Sequence, residues 1–384
     1  MTTVLSKLPS TLQALEFRRL GRTLLHSLLV GVAVGVAACV FFYGLEHVEH
    51  LLLRSLAGFQ RLRPAGEPAI HEGGGRAFRP WLLIVIPALG ALVSGLASHL
   101  LAPETAGGGG NAFIDAFHRK DGLVRRRVAP VKALASILTL GSGGSGGREG
   151  PTMQVGAAIG SLVARLLRTT VRERRILLVA GTAGGLAAIF RTPLGAALLA
   201  VEVLYRDDFE TDALVPAILS SVTAYSIFIT AFGEGHLFAH AARYPFVPAH
   251  LLLYALLALV LSVAAVGFVA ALRASHRLFA SSRLPRWLQP AVGGLLLGAL
   301  AVAWILAVNP RLGLAGQGLG ILGSGYGAAQ GAILGAPWLP RGWGAVELLA
   351  ALVVVKVVAT SLTIGSGGSA GDFGPSLVIG GLLG

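Results

Sequence analysis

A carboxylate lies inside a glycine-rich phrase that the chain carries twice. Copy one is Gly141-Ser-Gly-Gly-Ser-Gly-Gly-Arg-Glu-Gly-Pro151 and copy two is Gly365-Ser-Gly-Gly-Ser-Ala-Gly-Asp-Phe-Gly-Pro375, with eight of eleven positions identical. Glycine leaves backbone amides uncovered, and proline suits the first turn of a helix. Because amides at a helix N-terminus attract negative charge, both phrases are predicted to bind an anion. Glu149 in copy one would compete with that anion for the same place.

Glu149 therefore has the most specific predicted role. When ionised, its carboxylate would fill the anion site, and when protonated it would swing away and admit the ion. The alternative is a Glu–Arg pair with Arg148 that only braces the turn. Copy two carries Asp372 and Phe373 at the equivalent positions. Phe373 is expected to offer bulk and a backbone amide, whereas Asp372 is expected to turn its side chain away and cap a helix.

Three further groups of residues could do chemistry. Gly107–Gly110 could supply another helix N-terminus or form a plain flexible loop. Lys132 and Lys356 recur 224 residues apart in apolar segments. Their charges would raise the electrostatic potential of an anion path. The alternative is that the side chains snorkel to the membrane interface, which suits Lys132 better than Lys356. His47-Val-Glu-His50 has metal-like helical spacing, but an interfacial polar cluster is the expected role, so no metal is predicted.

The elements that position these residues are predicted to be membrane helices. Hydrophobic residues make up 54% of the chain, charged residues 13%, and the mean hydropathy is +0.74. The basic residues that give the chain its net charge of +13 lie in short loops between apolar runs. This arrangement argues against nucleic acid as a partner and favours a lipid bilayer. Residues 1–23 are predicted to form an amphipathic cytoplasmic helix. The predicted spans are Leu24–Leu45, Trp81–Leu101, Ala213–Phe232, Leu251–Leu272 and Ala291–Val308.

The two phrases are predicted to belong to duplicated units of opposite orientation. Ten basic residues flank copy one and indicate a cytoplasmic approach, whereas Gly335–Glu347 before copy two carries one arginine. We therefore predict an inverted-topology repeat, in which re-entrant and broken helices of the two units meet at mid-membrane. The first repeat spans about 81–232 and the second about 251–384. Copy two lacks the counterpart of Gly181–Leu194 and of the chain onward to Glu202. Either the second unit is abbreviated or, as we expect, the sequence is a fragment.

The helices around copy one are predicted to form a re-entrant hairpin. Val128–Leu140 rises, the glycine phrase turns, and Pro151–Leu167 descends. Thirteen helical residues rise only ~20 Å, which is less than the ~30 Å of a hydrocarbon core. The fold class predicted for residues 24–384 is therefore an all-α polytopic membrane domain whose glycine turn lies inside the membrane.

Gly147-Arg-Glu-Gly-Pro151 resembles the corresponding motif of the CLC chloride channels and chloride/proton exchangers. Phe190-Arg-Thr-Pro-Leu194 and Gly371-Asp-Phe-Gly-Pro375 support the resemblance, which covers about residues 24–384. It implies a homodimer with one anion path per subunit, and a multi-pass protein of the bacterial inner membrane. It also implies that Glu149 is the external gating glutamate.

The resemblance extends to the residues around the gate. Backbone amides near five residues correspond to the family's anion-coordinating backbone: Arg148, Gly150, Asp372, Phe373 and Gly374. The serine that contacts the central anion in the family is replaced by Gly109. At the position of the exchangers' internal proton-relay glutamate the chain has Val203, preceded by Glu202.

These residues imply a non-enzymatic anion transporter without a cofactor. Chloride is the expected ligand, and protons are a possible coupled ion. Val203 favours a channel-like or weakly proton-coupled protein. A chloride/proton antiporter and a fluoride-exporting relative remain alternatives, because some exchangers lack the relay glutamate and fluoride exporters vary at the serine position. A membrane-embedded nucleotide-using enzyme is the alternative from another class, since Gly141-Ser-Gly-Gly-Ser-Gly146 matches the dinucleotide fingerprint.

Overall fold

The structure, a computed structural model, is mostly helical. It describes residues 10–67, 76–235, 237–238, 247–314 and 316–384, with side chains from residue 21 onward. The described chain contains thirteen α-helices and one pair of two-residue strands. The predicted all-α fold class is therefore confirmed.

The elements follow one another in a simple order. The helices are α1 (Ser10–Glu49), α2 (Pro80–Leu101), α3 (Gly110–Arg119), α4 (Val128–Gly141), α5 (Glu149–Leu166), α6 (Val171–Phe190), α7 (Pro193–Glu202), α8 (Thr211–Phe232), α9 (Leu251–Ser281), α10 (Gln289–Val308), α11 (Tyr326–Leu334), α12 (Trp343–Gly365) and α13 (Phe373–Leu383). The strands are β1 (Gln60–Arg61) and β2 (Gln317–Gly318). A π-helix, His50–Leu56, continues α1, and short 3-10 turns cover Pro103–Thr105, Pro248–His250 and Asn309–Leu312.

Six helices of the described residues are long and apolar enough to cross a membrane. The five predicted spans are all among them, and the sixth, Trp343–Gly365, extends the apolar segment before copy two to full length. The six are Gly21–Leu56, Pro80–Leu101, Thr211–Phe232, Pro248–Ser281, Gln289–Leu312 and Trp343–Gly365. The chain is a multi-pass membrane protein. The backbone of α1 is continuous from Ser10, so no break separates residues 10–23 from the first span. The side chains of residues 1–20 lie outside the described part of the chain, so the amphipathic character of residues 1–23 stays a prediction.

The re-entrant hairpin has the predicted form. Helix α4 ends at Gly141, the glycine phrase turns through Gly143 at φ +107°, and α5 begins at Glu149. The fourteen residues of α4 rise about 21 Å, which is shorter than the ~30 Å hydrocarbon core. The N-terminus of α5 is therefore available at depth within the protein.

The described chain divides into two compact units. The first unit takes the described residues of Met1–Cys39, Asn111–Ala129 and Thr152–Gly233. Its core is the packing of α6 against α5, α7 and α8. The second unit takes the described residues of Val40–Gly110, Pro130–Pro151 and Glu234–Gly384, and it contains both glycine phrases.

In the first unit, α5 and α6 approach closely because both present glycines at a four-residue spacing. A methyl group on Gly156 would collide with the carbonyl of Gly181, and one on Gly181 would collide with the carbonyl of Gly156. Gly160 on α5 and Gly185 on α6 make similar approaches to backbone carbonyls. Small residues at such spacing let membrane helices pack backbone to backbone.

We expect Gly181→Ala to lower the thermal stability of the protein clearly. The added methyl group meets backbone, which cannot move without separating α5 from α6. The matched control is Gly267→Ala on α9, where no atom beyond the neighbouring backbone of the helix itself lies within 4 Å of the added methyl group. The measurement is the temperature at which half of the detergent-solubilised protein remains monodisperse. Equal temperatures for the two variants would show that the α5–α6 approach is not needed.

In the second unit, the loop after α1 is fixed by strand pairing. β1 and β2 pair in parallel, with Gln60 opposite Gln317 and Arg61 opposite Gly318. The amide of Gln60 also donates to the carbonyl of Gly316 at 3.0 Å. Residues 60–67, which include Arg61, Arg63 and Glu67, are thereby held beside the segment that leads into α11.

Candidate anion site

The two glycine phrases are bonded directly to each other. The amide of Gly147 donates to the carbonyl of Gly371, and the amide of Gly371 donates to the carbonyl of Gly147, both at 2.7 Å. These two residues lie 224 positions apart, which is the offset of the duplication. The phrases thus meet at one place, as the sequence predicts, and they do so at equivalent points.

The helices before the two phrases exchange hydrogen bonds in the same reciprocal way. Ser145 bonds Thr360 between hydroxyls at 3.1 Å, and its amide donates to Thr363 Oγ1 at 3.0 Å. In the other direction, Ser369 bonds Ser136 at 2.9 Å, and its amide donates to Thr139 Oγ1 at 3.3 Å. Each partner of Ser369 lies 224 positions before a partner of Ser145. The repeat is therefore expressed as an approximate two-fold arrangement at the site.

The two equivalent lysines hold backbone loops in place. Lys132 Nζ donates to the carbonyls of Thr105 and Gly107 at 3.0 and 2.6 Å. Lys356 Nζ donates to the carbonyls of Gly320 and Gly323, both at 2.8 Å. Both lysine side chains are fully buried, so the alternative of snorkelling to the interface is wrong for both, including Lys132, for which it was the better suited. The hydrogen bonds from each ammonium to carbonyl oxygens offset the cost of burying its charge.

Glu149 lies where the phrases converge. It is the first residue of α5 and is 1% exposed. Its Oε1 accepts a hydrogen bond from the hydroxyl of Tyr326. Its Oε2 lies so close to the other phrase that a methyl group on Gly374 would stand 3.0 Å from it, and a methyl group on Gly147 would collide with it. The carboxylate therefore lies against the backbone of both copies.

Tyr326 is a site residue that the sequence did not reveal. It begins α11 after Gly325, whose φ of +88° requires glycine, and the tyrosine is 1% exposed. The ring of Phe238 packs edge-on against it at 5.6 Å between ring centroids. Its surroundings in the sequence, Gly323-Ser-Gly-Tyr-Gly327, are a weak signal, and nothing in them indicates a partner 177 residues earlier.

The other predicted anion ligands are placed as follows. Gly109 is buried with φ +98°, and the chain enters α3 directly after it, so the third glycine cluster does lead into a helix N-terminus. Gly150 is so close to the carbonyl of Gly108 that a methyl group there would collide with it. Gly374 is buried in the first turn of α13. The backbone of three glycine segments is therefore gathered around the start of α5.

Copy two differs from the prediction at Asp372. Its backbone stands at the N-cap position of α13, but the side chain makes no capping hydrogen bond and is exposed. The prediction of a side-chain cap is therefore wrong. Since Asp372 has φ −96° and ψ −16°, its backbone is already helical, whereas a capping side chain needs an extended backbone. Phe373 is 43% exposed in the described chain.

The guanidinium of Arg148 belongs to a buried charged network. Arg148 Nη1 lies 2.6 Å from Glu67 Oε1, and its guanidinium stacks over the ring of Phe42 at 5.0 Å. Glu67 Oε2 accepts from Arg61 Nη2 at 3.1 Å. Burial disfavours the charged form of Glu67, but Arg61 and Arg148 outweigh it and lower the pKa of Glu67 to about 2.

The network continues into the end of α1. Arg61 also pairs with Glu46 at 3.1 Å and with Glu49 at 2.9 Å, and Arg63 pairs with Glu46 at 2.6 Å. The two acids next to His47 and His50 thus bind arginines, and among the described residues no three metal-ligating side chains form a group. A cavity of about 170 Å³ adjoins them, lined by Glu49, His50, Leu53, Arg54, Phe59, Gln60, Arg61 and Arg63.

The predicted proton-relay position belongs to the first unit. Glu202 is the last residue of α7 and is exposed, and Val203 follows it at the helix end. Val203 is half-buried and packs against an apolar cluster that includes Ala200 and Leu204. The side chain at position 203 therefore contributes apolar packing and has no group that could carry a proton.

The comparisons with known proteins agree with this geometry. The family model described as "Voltage gated chloride channel" matches residues 89–384, which is well over half of the chain and includes both glycine phrases. The chain belongs to the CLC family. The resemblance seen in the sequence is thereby confirmed, and the inverted-repeat fold class with it.

Individual CLC relatives carry different descriptions. The chain is 32% identical over 314 residues to a "Putative chloride channel protein ClcB-like" of Ralstonia nicotianae, covering 80% of this chain and 68% of that protein. It is 31% identical to a "Chloride/fluoride channel protein" of Pseudomonas syringae pv. tomato, covering 82% and 65%. It is 30% identical to an "H(+)/Cl(-) exchange transporter ClcA" of Vibrio parahaemolyticus, covering 79% and 62%. The chain thus spans about two thirds of the length of these CLC proteins.

Solved CLC structures share the fold. A slow cyanobacterial Cl⁻/H⁺ antiporter matches with a TM-score of 0.73 and 25% identity, covering 93% of this chain and 77% of that one. A CLC-type fluoride/proton antiporter matches with a TM-score of 0.75, 22% identity, and coverage of 96% and 81%. These relatives are channels and exchangers, so this chain belongs to a family of anion transport proteins rather than to a family of enzymes.

Proposed function

We propose that the protein moves chloride across a membrane through a path gated by Glu149. The observation that carries the proposal is the position of the Glu149 carboxylate, buried at the α5 N-terminus against backbone of both glycine phrases. A negative group held by such backbone occupies the place that a chloride ion would take. Protonation removes its charge and weakens its hold, so that chloride can replace it.

Val203 supports a channel-like or weakly proton-coupled form of this transport. An internal carboxylate would carry protons toward the gate, and the half-buried valine cannot do so. A chloride/proton antiporter is the second candidate, which the descriptions of the Vibrio relative and of the cyanobacterial structure favour. A fluoride-exporting protein is the third, because Gly109 replaces the family's serine and two relatives are described with fluoride.

We expect Glu149→Gln to change chloride flux in proteoliposomes and to abolish its pH dependence. Glutamine keeps the size of the side chain but carries no charge at any pH, so it mimics the protonated gate permanently. The measurement is paired recording of chloride and proton movement with the full-length protein. Wild-type protein is expected to give chloride flux without sustained proton uptake driven by the chloride gradient.

The matched control is Glu347→Gln, because Glu347 is an exposed glutamate on α12. This variant should behave as wild type. Stoichiometric proton movement in the wild type would favour the antiporter, and a preference for fluoride over chloride would favour the fluoride exporter. Unchanged flux and unchanged pH dependence in Glu149→Gln would contradict the gate itself.

The assembly proposed for this function is a homodimer in a bacterial inner membrane, with one path per subunit. Six candidate spans and the sequence likeness to bacterial CLC proteins support the location. No cofactor is needed for the proposed transport, because the ion is held by backbone and by neutral side chains. Crosslinking of the reconstituted protein tests the dimer.

A further inference from the structure

Arg148 is the charged side chain next to the gate in sequence, yet its charge is neutralised by a residue far away in the chain. Arg148 is 6% exposed, and Glu67, its partner at 2.6 Å, is 7% exposed. A bond of this length between a guanidinium and a carboxylate is a strong, charge-assisted hydrogen bond. The positive charge of Arg148 is thus balanced within the protein before any mobile anion arrives.

Glu67 itself is held rigidly. Its other oxygen binds Arg61, whose backbone is fixed by the pairing of β1 with β2. Arg61 in turn binds Glu46 and Glu49, and Arg63 binds Glu46. Together with Arg148, the network contains three glutamates and three arginines, so its formal charges cancel. Removing Arg148 or Glu67 alone leaves an uncompensated buried charge beside the start of α5.

An uncompensated charge at this position acts directly on the gate. Arg148 is adjacent to Glu149 in the chain, and interactions between charges in a buried environment are weakly screened. The groups that face the Glu149 carboxylate come from three elements: Tyr326 from α11, Arg148 and Glu67 from the charged network, and the backbone of Gly374 in α13. Arg148 attracts the carboxylate and Glu67 repels it, so their effects oppose each other.

We propose that Glu67 sets the strength of the gate by cancelling the charge of Arg148. With the pair intact, the backbone of the two glycine phrases and Tyr326 hold Glu149 or the competing anion, and Arg148 adds little net field. Glu67 is a positioning residue: it acts through Arg148 and does not contact the ion. The inference rests on the proposed gating by Glu149.

The test compares substitutions that leave opposite charges behind. Glu67→Gln leaves the charge of Arg148, which favours the ionised gate, so the pH of half-maximal chloride flux should fall by about one unit. Arg148→Gln leaves the charge of Glu67, which disfavours the ionised gate, so the same midpoint should rise. The double variant E67Q/R148Q removes both charges and should return close to wild type.

Chloride affinity is measured by calorimetry on the same detergent-solubilised variants, at a pH below all the midpoints, where the gate is protonated and does not compete with the ion. There Glu67→Gln should bind chloride severalfold more tightly and Arg148→Gln severalfold more weakly, because the charge left behind attracts or repels the ion directly. A purely structural role for the pair would lower the yield of folded protein in both single variants without moving the midpoint in opposite directions. Arg148→Lys keeps the charge but loses the guanidinium geometry, and its midpoint should stay near that of wild type.

The outcomes separate this inference from the proposed function. If Glu149→Gln keeps the wild-type pH dependence, gating by Glu149 is wrong. If Glu149→Gln abolishes the pH dependence but the Glu67 and Arg148 variants shift the midpoint in the same direction, or not at all, gating stands and the role of Glu67 is wrong. Should a single variant fail to fold, the double variant and Arg148→Lys still decide: a large midpoint shift in either one overturns the inference.

Discussion

Tyr326→Phe should raise chloride flux at neutral pH about tenfold. The substitution removes only the hydroxyl that donates to Glu149 Oε1 and keeps the ring that packs against Phe238. A hydrogen bond to a charged group contributes about 1.5–3 kcal/mol, and 1.4 kcal/mol corresponds to a factor of ten in occupancy. A carboxylate that loses this bond leaves the anion position more often, so the path is open for a larger fraction of the time.

Tyr205→Phe is the matched control, because the hydroxyl of Tyr205 also donates to a glutamate, Glu210, at 2.7 Å. That pair is exposed and belongs to the other compact unit. The measurement is the initial rate of chloride efflux from proteoliposomes, with both variants at equal protein density. The role of Tyr326 is contradicted if the two variants have the same rate, or if Tyr326→Phe slows transport while the protein remains monodisperse.

Much of the candidate site could be predicted from the sequence, because the duplication is a local signal. Eight identities in eleven residues at a constant offset placed both glycine phrases at one site, and Pro151 placed a helix start beside Glu149. Apolar runs of about twenty residues predicted five of the six spans among the described residues. Each of these features depends on neighbours in the chain or on exact repetition, and both can be read without knowing the fold.

The partners of Glu149 and Arg148 could not be predicted, since they depend on contacts between distant segments. Tyr326 lies 177 residues from Glu149, and Glu67 lies 81 residues before Arg148. Neither residue has a counterpart at the repeat offset, so the duplication does not indicate it. The error at Asp372 has a different cause: the residue type suits a cap, but the backbone there is already helical.

The repeat also identified Lys132 and Lys356 as equivalent residues, but it left their role open. Equivalent placement in two apolar segments indicated that Lys132 and Lys356 share a function, and the structure shows that this function is to bind carbonyl groups of glycine loops. A cation in an apolar helix can reach water or a buried acceptor, and only the fold decides which is nearer. Here the loops lie within reach, so neither lysine extends to the surface.

The second large effect is expected for Lys356→Met, which should destabilise the protein by about 3–6 kcal/mol. Lys356 Nζ contacts the carbonyls of Gly320, Ile321 and Gly323, and it also donates to Ser145 Oγ at 3.1 Å. Methionine fills the same volume but offers no donor, so several buried acceptors lose their partner at about 1–3 kcal/mol each. The loop before α11 and the first glycine phrase would lose their shared anchor.

Lys132 and Lys120 provide graded controls for this prediction. Lys132 binds two carbonyls, so Lys132→Met should cost about half as much as Lys356→Met. Lys120→Met removes only a solvent-exposed pair with Asp115, so it should leave the stability nearly unchanged. The measurement is the temperature of half-loss of the monodisperse peak after heating in detergent. The loss of stability should increase in the order Lys120, Lys132, Lys356, because each ammonium in this order donates to more buried oxygens. A Lys356→Met protein as stable as Lys120→Met would mean that these loops keep their geometry without the cation, and that the site depends on the exchange of bonds between the two glycine phrases alone.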